Sequence, residues 1–333
     1  MITIGIDPHK SSLTAVALDP SGHQVGQVGL AVTKNLEHQL LSWAQAWPDR
    51  QWGVEGASGL GRGVAQLLAA ADQQVLDVPA KLAARARLLG AGSARKTDAT
   101  DAAYVGAVTQ RNERLRPVQA ENHTVVLRLL SDRRDDLVAE RTRSLNRLHV
   151  LLRDLHPGGA KRDLSTLQAA ALLRLIRPLT AVDEQRKALA RDLLADLRRL
   201  DTAIRTSTTA LAAVLNTAGS TLTEVHGLGP VLAAKIVAHS GDVTRFPSRH
   251  HYASYCGTAP IEASSGDLRR HRLSRAGNRQ LNAAVHVVAV CQAAHPGPGR
   301  DHYRRKLAEA KTPAEARRSL KRQLSNVIYK RRR

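Results

Sequence analysis

Four acidic residues in the first third of the chain have the types and spacing that chemistry requires. Asp7 and Glu55 each end a short apolar run, as the carboxyl end of a strand would. Asp98 and Asp101 lie three residues apart, so a helix would present both on one face. Two carboxylates ~4 Å apart repel by about 4 kcal/mol at an effective dielectric near 20, so four converging acids need cations. Mg²⁺, with Mn²⁺ as a substitute, suits such oxygen ligands and promotes phosphoryl transfer.

A second group of residues suited to chemistry lies between Gly257 and Arg279. Ser264 and Ser265 precede Gly266 in what we expect to be a flexible turn, and five arginines follow. A serine hydroxyl beside glycine can be presented as a nucleophile, and guanidinium groups can neutralise phosphate or a developing oxyanion. By itself this pattern is more often a phosphate-binding loop than a nucleophile. The arginines are Arg269, Arg270, Arg272, Arg275 and Arg279.

The overall charge points to a polyanionic partner. The chain has 50 Lys+Arg against 29 Asp+Glu, which gives a formal net charge of +21, and its pI is about 11.0. A cationic surface kept for solubility or membrane association is the alternative, but self-repulsion at this charge favours nucleic acid. With one Phe, three Trp and five Tyr, base stacking on aromatic side chains is not expected to dominate binding, so phosphate contacts should.

Cysteine usage and the N-terminus indicate a cytoplasmic protein. Cys256 and Cys291 are far apart and show no paired-ligand spacing, which argues against a zinc knuckle or a disulfide scaffold. The first residues have neither a basic segment nor a long apolar core, and no stretch reaches about 18 uninterrupted apolar residues. We therefore expect neither secretion nor a membrane span.

Short runs rich in β-branched residues, separated by Pro, Gly and Ser, predict that an α/β domain carries the acids. The predicted strands are 2–7, 13–19, 24–32, 51–55 and 74–78, and the predicted helices are 35–47, 61–71, 80–89 and 98–111. The order β-β-β-α-β-α-β-α is the layout of the ribonuclease H-like fold, in which strand ends carry catalytic acids. It argues against a simple Rossmann unit, whose first strand should run straight into a Gly-rich turn and helix. The alternative for the last helix is that Asp98 only begins it and Asp101 is a surface acid.

Pro117 marks the end of this first domain, which we place at residues 1–115. Residues 116–217 are rich in Leu, Ala and Arg at helical spacing, with an interruption at residues 156–159. They predict two long antiparallel helices, such as a coiled coil, that serve as a linker or assembly arm. Arginines of this segment can also touch phosphates, although a charge run is usually a solvated face. They are Arg133, Arg134, Arg141, Arg143 and Arg147.

Residues 218–300 form a third, mainly helical predicted domain. Gly227 and Gly229 precede an apolar helical run, as in a helix-hairpin-helix element whose glycines let backbone N–H groups approach a phosphate. An ordinary tight turn between packed helices is the alternative. Residues 301–333 form a basic C-terminal tail, and the stretch from Arg300 holds 13 Lys+Arg against three acids. We expect this tail to be a partly disordered nucleic-acid arm.

Taken together, these motifs resemble the DEDD-type insertion-sequence transposases of the IS-one-ten class. The matching segments are Gly-Ile-Asp-Pro-His-Lys, Val-Glu-Gly, Lys-Thr-Asp-Ala-Thr-Asp-Ala, Gly-Leu-Gly-Pro, and Ala-Pro-Ile-Glu-Ala-Ser-Ser-Gly leading to Arg-Ala-Gly-Asn. Each segment is short, but their order and spacing over nearly the whole chain make the combination specific.

The resemblance implies a RuvC-like N-terminal domain in which the four acids bind Mg²⁺ as a tetrad. It also implies a C-terminal transposase domain whose nucleophile is Ser265, with Ser264 as the alternative because the serine is doubled. In this family the acids and the serine form composite sites across the protomers of a homo-oligomer, a dimer or tetramer, and the helical hairpin mediates assembly. A noncoding bridge RNA from the element guides recognition of donor and target DNA, and the enzyme acts on the bacterial nucleoid.

The sequence and the resemblance together predict a DNA transposase or site-specific recombinase that cuts and rejoins strands. One alternative is a RuvC-like junction nuclease in which water attacks and Ser265 only binds phosphate. Another is a nucleic-acid-binding protein without enzymatic activity. The predicted nucleic-acid contacts are Lys10, Lys96, Gly227, Gly229, Arg269, Arg270, Arg272, Arg275, Asn278 and Arg279.

Overall fold

The computed structural model describes residues 1–89, 97–156, 158, 164–262, 271–272 and 276–333. The chain divides into two compact units, Met1–Glu121 and Asn122–Arg333. The first unit ends within a few residues of the predicted boundary at 115. The helical hairpin and the C-terminal helices lie in the second unit and share a core. The predicted further divisions after residues 217 and 300 stay predictions.

A six-stranded mixed sheet organises the first unit. Its strands are β1 (Ile2–Pro8), β2 (Ser12–Leu18), β3 (Gln24–Ala31), β4 (Arg50–Glu55), β5 (Val75–Val78) and β6 (Arg116–Pro117). The spatial order is β3-β2-β1-β4-β5-β6. The first three strands pair antiparallel, β4 and β5 run parallel to β1, and the short β6, which the sequence did not predict, is antiparallel to β5. The strand order and directions confirm the ribonuclease H-like layout.

Four helices accompany this sheet: α1 (Leu36–Ala44), α2 (Arg62–Ala70), α3 (Ala80–Leu89) and α4 (Asp98–Arg111). The main core lies between the sheet and α1 and α2, and contains the fully buried Trp52. Helix α4 packs against β1, β2 and β4 at very short range. A Cβ atom on Gly5 would lie 2.1 Å from the Ala102 carbonyl oxygen, and one on Gly53 would lie 1.9 Å from Thr109 Oγ1. Glycines in the strands therefore set how closely α4 approaches the sheet.

The second unit begins with the predicted pair of long helices, α5 (His123–Leu155) and α7 (Ala181–Thr217). The pair is antiparallel, because Arg134 donates to Thr208 at 3.0 Å while Arg141, further along α5, donates to Asp201 at 2.5 Å. Two of the arginines predicted as alternative phosphate contacts thus hold the helices together. A heptad coiled coil in the strict sense stays a prediction.

A short helix, α6 (Thr166–Leu175), packs against α7. The pattern of Leu and Ala does not separate this helix from its neighbours, although Ser165 and Gln168 form a complete capping box at its start. Leu148 and Leu152 of α5 and Leu194 of α7 meet α6 in a small core at this end of the hairpin.

The remaining helices pack around a larger core that includes the other end of the hairpin. They are α8 (Pro230–Ser240), α9 (Arg249–Tyr255), α10 (Arg279–Ala294), α11 (Pro298–Ala308) and α12 (Pro313–Arg332), and the two-residue strands β7 (Ile261–Glu262) and β8 (His271–Arg272) pair antiparallel. Within the described ranges, no helix has both the length and the apolar character that a membrane span requires.

The expectation of a partly disordered C-terminal arm is wrong. Residues 313–332 are helical, and Leu320, Leu324, Ile328 and Tyr329 are buried in the larger core. The apolar residues recur at helical spacing between the basic ones, so α12 buries one face and leaves its other cations at the surface. Thr312 and Glu315 add a complete capping box at its start.

Candidate functional site

The acidic site in the first unit starts from two neighbouring strand ends. Asp7 is the penultimate residue of β1, and Glu55 is the last residue of β4. The two strands are parallel, and Ile6 pairs with Val54, so the next residues along each strand, the two acids, lie side by side. Asp7 is buried, with 8% of its surface exposed, and Glu55 is half-buried. The sheet therefore carries two carboxylates at the ends of two adjacent strands.

Helix α4 brings the third acid to the same place. Thr97 caps the helix by accepting a hydrogen bond from the Thr100 amide at 3.2 Å, and Asp98 is the first helical residue. Asp98 thus begins the helix, as the first part of the alternative prediction has it, and the helix dipole favours an acid there. Oxygens of Asp7 and Asp98 lie within 4.8 Å of each other. Helix α4 contacts Gly5, two residues before Asp7, and this contact brings Asp98 close to Asp7.

His9, which the sequence analysis did not select, lies between these two acids. Its Nε2 atom is 3.4 Å from Asp7 Oδ2 and 3.4 Å from Asp98 Oδ2. The signal was present in the sequence, since His9 follows Asp7 by two residues in the turn after β1. Lys10, predicted to contact nucleic acid, is exposed in the same turn.

Asp101 is on the same helix but has a protein partner. Arg87 of α3 donates to Asp101 Oδ1 at 2.9 Å, and only 13% of the Asp101 side chain is exposed. Asp98, by contrast, has 63% of its side chain exposed. Arg87 therefore orients the Asp101 carboxylate. An ion bound by Asp101 would have to share this carboxylate with Arg87. Lys96, predicted nearby, lies outside the described residues.

The donor set fits a hard divalent cation. Mg²⁺ binds oxygen ligands at about 2.1 Å, so two ligands of one ion lie at most about 4 Å apart, and the Asp7 and Asp98 oxygens lie within 4.8 Å of each other. Glu55 adds a carboxylate on the adjacent strand. These residues can hold a cation that neutralises charge on a phosphodiester.

In the second unit, β7 and β8 bring together the two ends of the segment that contains the predicted serines. Ile261 pairs with Arg272, and Glu262 pairs with His271. Ser264, Ser265, Arg269, Arg270 and Arg275 lie outside the described residues, and of Arg272 only the backbone pairing is described.

The Ala-Gly-Asn motif that follows has a clear structural task. Asn278 caps α10, and its Oδ1 accepts hydrogen bonds from the amides of Gln280 and Leu281. A Cβ atom on Gly277 would lie 2.3 Å from the Gly257 amide nitrogen, so the two glycines allow direct backbone packing. Asn278 is thus a helix cap, whereas Arg279, the first residue of α10, is exposed.

Arg279 lines a concavity together with Lys321, a residue that the sequence analysis did not select. Lys321 is 8% exposed, and its ammonium donates to Asn282 Oδ1 at 2.6 Å. Asn282 in turn donates to the carbonyl oxygens of Cys256 and Gly257, which fixes its orientation. Burial lowers the pKa of Lys321. Because its partner is a neutral amide and not a carboxylate, the buried Lys321 ammonium can still bind an anion. No sequence pattern marks this pair, since Lys321 lies far from Arg279 along the chain.

Gly227 and Gly229 have different surroundings. Gly227 has a φ of +81°, and a Cβ atom there would lie 3.2 Å from Cys291 Sγ. Gly229 precedes Pro230 at the start of α8, and a Cβ atom on it would meet nothing within 4 Å. The preceding element is a single 3₁₀ turn at residues 222–224. A phosphate contact at the start of α8 stays a prediction.

Two known families match this chain, one over the residues that include the acids and one over those that include the serines. A family described as transposase matches residues 4–157, which include all four acids. A family described as transposase IS116/IS110/IS902 matches residues 219–304, which include both serines and Arg279.

Individual relatives extend the match to nearly the whole chain. The IS116 insertion-element protein of Streptomyces clavuligerus, named as an uncharacterized 44.8 kDa protein, is 28% identical over 98% of this chain and 94% of its own length. The IS110 insertion-element protein of Streptomyces coelicolor, named as an uncharacterized 43.6 kDa protein, is 31% identical over 70% of each chain. Among solved structures, T. thermophilus RuvC in complex with a Holliday junction substrate matches with a TM-score of 0.29 and 13% identity, covering 35% of this chain and 99% of that one.

The first family match contains the acidic site, and the second contains the serine segment. The IS110 protein is 31% identical to this chain over 70% of the length of both proteins. On these matches, the chain belongs to the IS110 family of insertion-element transposases and is a DNA-processing enzyme.

Proposed function

We propose that this transposase cuts and rejoins DNA strands with Ser265 as the nucleophile and with Asp7, Glu55, Asp98 and Asp101 as an Mg²⁺-binding tetrad. The observation that carries the proposal is the meeting of Asp7 and Asp98 beside the end of β4, which gathers acids in a chain of net charge +21. Such a cluster is unfavourable without a cation, and a polyanionic substrate supplies a reason for one.

The four acids would hold the ion from three elements. Asp7 and Glu55 would do so from adjacent strands, and Asp98 from the first turn of α4, while Arg87 orients Asp101. When bound, Mg²⁺ or Mn²⁺ would polarise the phosphodiester and stabilise the leaving oxygen. His9 would have to release both carboxylates as the ion enters.

In the proposed reaction, the hydroxyl oxygen of Ser265 forms a bond to phosphorus while the bond from phosphorus to one bridging oxygen breaks. The proton lost by serine is balanced by the proton that the departing strand gains as its free hydroxyl. The hydroxyl of a second strand then attacks the serine phosphoester in the reverse sense. Phosphodiester bonds are conserved throughout, so rejoining needs no external energy source.

The concavity of Lys321 and Arg279 would bind a phosphate of the same substrate. It lies beside Gly257 and Gly277, which flank the serine segment in sequence. Lys321 is held in place by Asn282, so little side-chain entropy is lost when a phosphate binds.

The test is a covalent protein–DNA adduct that survives denaturation. We expect it in the wild type and in Ser264→Ala, and we expect its loss in Ser265→Ala. The two serines are adjacent, so each variant is the matched control of the other. The reverse result would move the nucleophile to Ser264. Undiminished strand cleavage by the double variant would refute the proposal and favour a junction nuclease in which water attacks.

A noncoding RNA and a homo-oligomer complete the proposed system. The scarcity of aromatic residues supports sequence recognition by RNA pairing, and acids and serine would meet across the protomers of a dimer or tetramer. Action at the nucleoid stays a prediction. RNA copurified with the protein from its native locus should be one specific transcript from the element's flanks, whereas random cellular RNA would contradict guided recognition.

A further inference from the structure

Two histidines and a cysteine of the second unit converge at a place remote in sequence from the serine segment. His226 lies in the turn before α8, Cys291 is in the last turns of α10, and His295 directly follows that helix. The sulfur of Cys291 and one ring nitrogen of each histidine lie within 4.8 Å of one another. None of these residues has a part in the proposed reaction.

The backbone around this cluster is arranged to bring the turn onto α10. Gln292 donates from its side-chain amide to the His226 carbonyl oxygen at 2.7 Å, which ties the turn to the helix. Gly227 follows with a φ of +81°, and its missing Cβ is what lets the chain pass close to Cys291 Sγ. The Gln292 hydrogen bond and the close packing of Gly227 therefore hold His226 beside the Cys291 thiol.

The His295 ring also lies against Cys291. Its Nδ1 is 2.8 Å from the Cys291 carbonyl oxygen and 3.8 Å from Cys291 Sγ. An ion bound beside the sulfur would take the lone pair of Nδ1, so His295 would carry its proton on Nε2 and give up the contact with the carbonyl oxygen. The His226 and His295 rings lie 5.8 Å apart between centroids in an edge-to-face arrangement.

We propose that His226, Cys291 and His295 bind a transition-metal ion of the zinc class. One thiolate and two imidazoles are borderline to soft donors, which select Zn²⁺ over Mg²⁺. Three protein ligands leave a fourth position for water. The ion would link the turn before α8 to the end of α10. Helices α8 and α10 already pack together.

The probe that tests this site is Co²⁺ added to the reduced full-length protein. A cobalt ion bound by a thiolate gives a near-ultraviolet charge-transfer band, which carboxylate ligands do not give, so cobalt at the acidic site is not mistaken for it. We expect the band to saturate at one ion per chain and to disappear when Zn²⁺ displaces cobalt. Excess Mg²⁺ should leave it unchanged.

Variants assign the band to the three residues. Cys291→Ser should abolish it, and His226→Ala, a change in an exposed turn, should weaken the apparent cobalt affinity by at least about tenfold. His286→Ala on the exposed face of α10 and Asp98→Asn at the acidic site are the controls, and both should keep the band. A band that persists in Cys291→Ser, or that never forms in the wild type, would overturn the proposal.

A second measurement does not depend on how the variants fold. Zn²⁺ should slow alkylation of Cys291 in the wild-type protein and raise its melting temperature, because the ion binds only the folded arrangement. Cys256 is buried in the core, so its alkylation requires unfolding and reports stability separately. Equal alkylation rates of Cys291 with and without Zn²⁺ would contradict the site, whatever the outcome for the Ser265 adduct.

Discussion

At the scale of single residues, His9 is a side chain that joins two acids of the acidic site. It contacts Asp7 and Asp98 at equal distances of 3.4 Å. Its imidazole reduces the repulsion between two carboxylates that the fold holds together, so binding of the proposed ion would exchange one polar partner for another. His9 would therefore contribute to the difference in stability between the metal-free and the metal-bound protein.

We predict that His9→Ala lowers the stability of the metal-free first unit and increases its response to Mg²⁺. The expected loss is about 1 kcal/mol, the repulsion of two carboxylates ~4 Å apart in a water-like dielectric. The measurement is the melting temperature in EDTA and in Mg²⁺ for both proteins. The same Mg²⁺-induced shift in wild type and variant would show that His9 does not balance the acids.

For Lys321, we predict that Lys321→Met weakens DNA binding and slows adduct formation about tenfold or more. The methionine fills the same buried volume but removes the charge that would meet a phosphate. Adduct formation with a fixed DNA concentration gives the rate, and filter binding gives the affinity. Lys311→Met, at an exposed position before α12, is the control and should change both much less. Equal effects of the two substitutions would show that Lys321 contributes only to the overall positive charge and does not bind a particular phosphate.

At the scale of elements, the contact between α4 and the sheet decides where Asp98 stands relative to Asp7. This contact is made by backbone atoms, since a Cβ on Gly5 would also lie 2.3 Å from the Gly106 amide nitrogen. Backbone atoms cannot rotate away as a side chain would. Gly5 and Gly106, which have no Cβ atom, thus fix the distance between α4 and β1, and with it the position of Asp98 relative to Asp7.

We predict that Gly5→Ala lowers the free energy of unfolding by about 3 kcal/mol and displaces α4, since overpacking a core typically destabilises by 1–3 kcal/mol and this clash is with backbone. Gly29→Ala in β3 is the matched control, because a Cβ there meets nothing within 4 Å. Its effect should stay within about 0.5 kcal/mol. Urea denaturation measures both. A Gly5→Ala protein as stable as the control would show that α4 can move off the sheet without loss.

Helix α8 contains a buried group whose protonation opposes folding. His239 is 4% exposed, and neither ring nitrogen has a hydrogen-bond partner among the described residues. Burial, followed by the charge of Arg128, lowers the pKa of His239 from 6.5 to about 4. The unfolded chain therefore binds more protons in this interval, and stability falls as the pH falls from about 6.5 toward about 4.

We accordingly predict that His239→Leu reduces the difference between the unfolding free energies at about pH 7 and about pH 5. The leucine keeps an apolar volume in the core and has no proton to bind. His123→Ala, at an exposed position at the start of α5, is the control and should retain the wild-type pH dependence. Unchanged pH dependence in His239→Leu would place the acid sensitivity elsewhere.

What could be predicted from the sequence differed between the elements. The strands and helices of the first unit were predictable because β-branched runs alternate with turn residues, and Asp7 and Glu55 could be placed at strand ends on that pattern alone. Partners such as His9 with Asp98, Lys321 with Asn282, or Cys291 with His226 depend on packing between distant segments. Cys291 shows the limit well: His295 follows it by four residues, but the turn at Gly227 brings its other partner, His226, from 65 residues away.

At the scale of the whole molecule, the second unit is one folding unit from the hairpin to the last helix. Leu127 and Leu211 of the hairpin share a core with Leu324 and Ile328 of α12. The basic residues that suggested a disordered arm are therefore carried on a structural helix. Cations fixed in this way would bind a phosphate without the ordering entropy that a disordered arm would lose.

We predict that Leu324→Ala destabilises the second unit by about 2–4 kcal/mol, the usual range for a buried leucine. Val327→Ala, on the same helix but 42% exposed, should change stability by less than about 1 kcal/mol. Calorimetry measures the loss. A transition that does not shift in Leu324→Ala would mean that α12 is dispensable for the core.

The helical hairpin has two separately packed ends with a more polar stretch between them. Leu148 and Leu194 belong to the core at the tip, Leu127 and Leu211 belong to the core at the base, and the stretch between is crossed by polar contacts such as Arg141 to Asp201. Leu137 and Leu200 are buried in this stretch but belong to neither core. Polar contacts at a surface exchange with water at little net loss, whereas apolar cores resist opening. Each end of the hairpin therefore has its own apolar core, and a substitution in one core removes no apolar contact from the other.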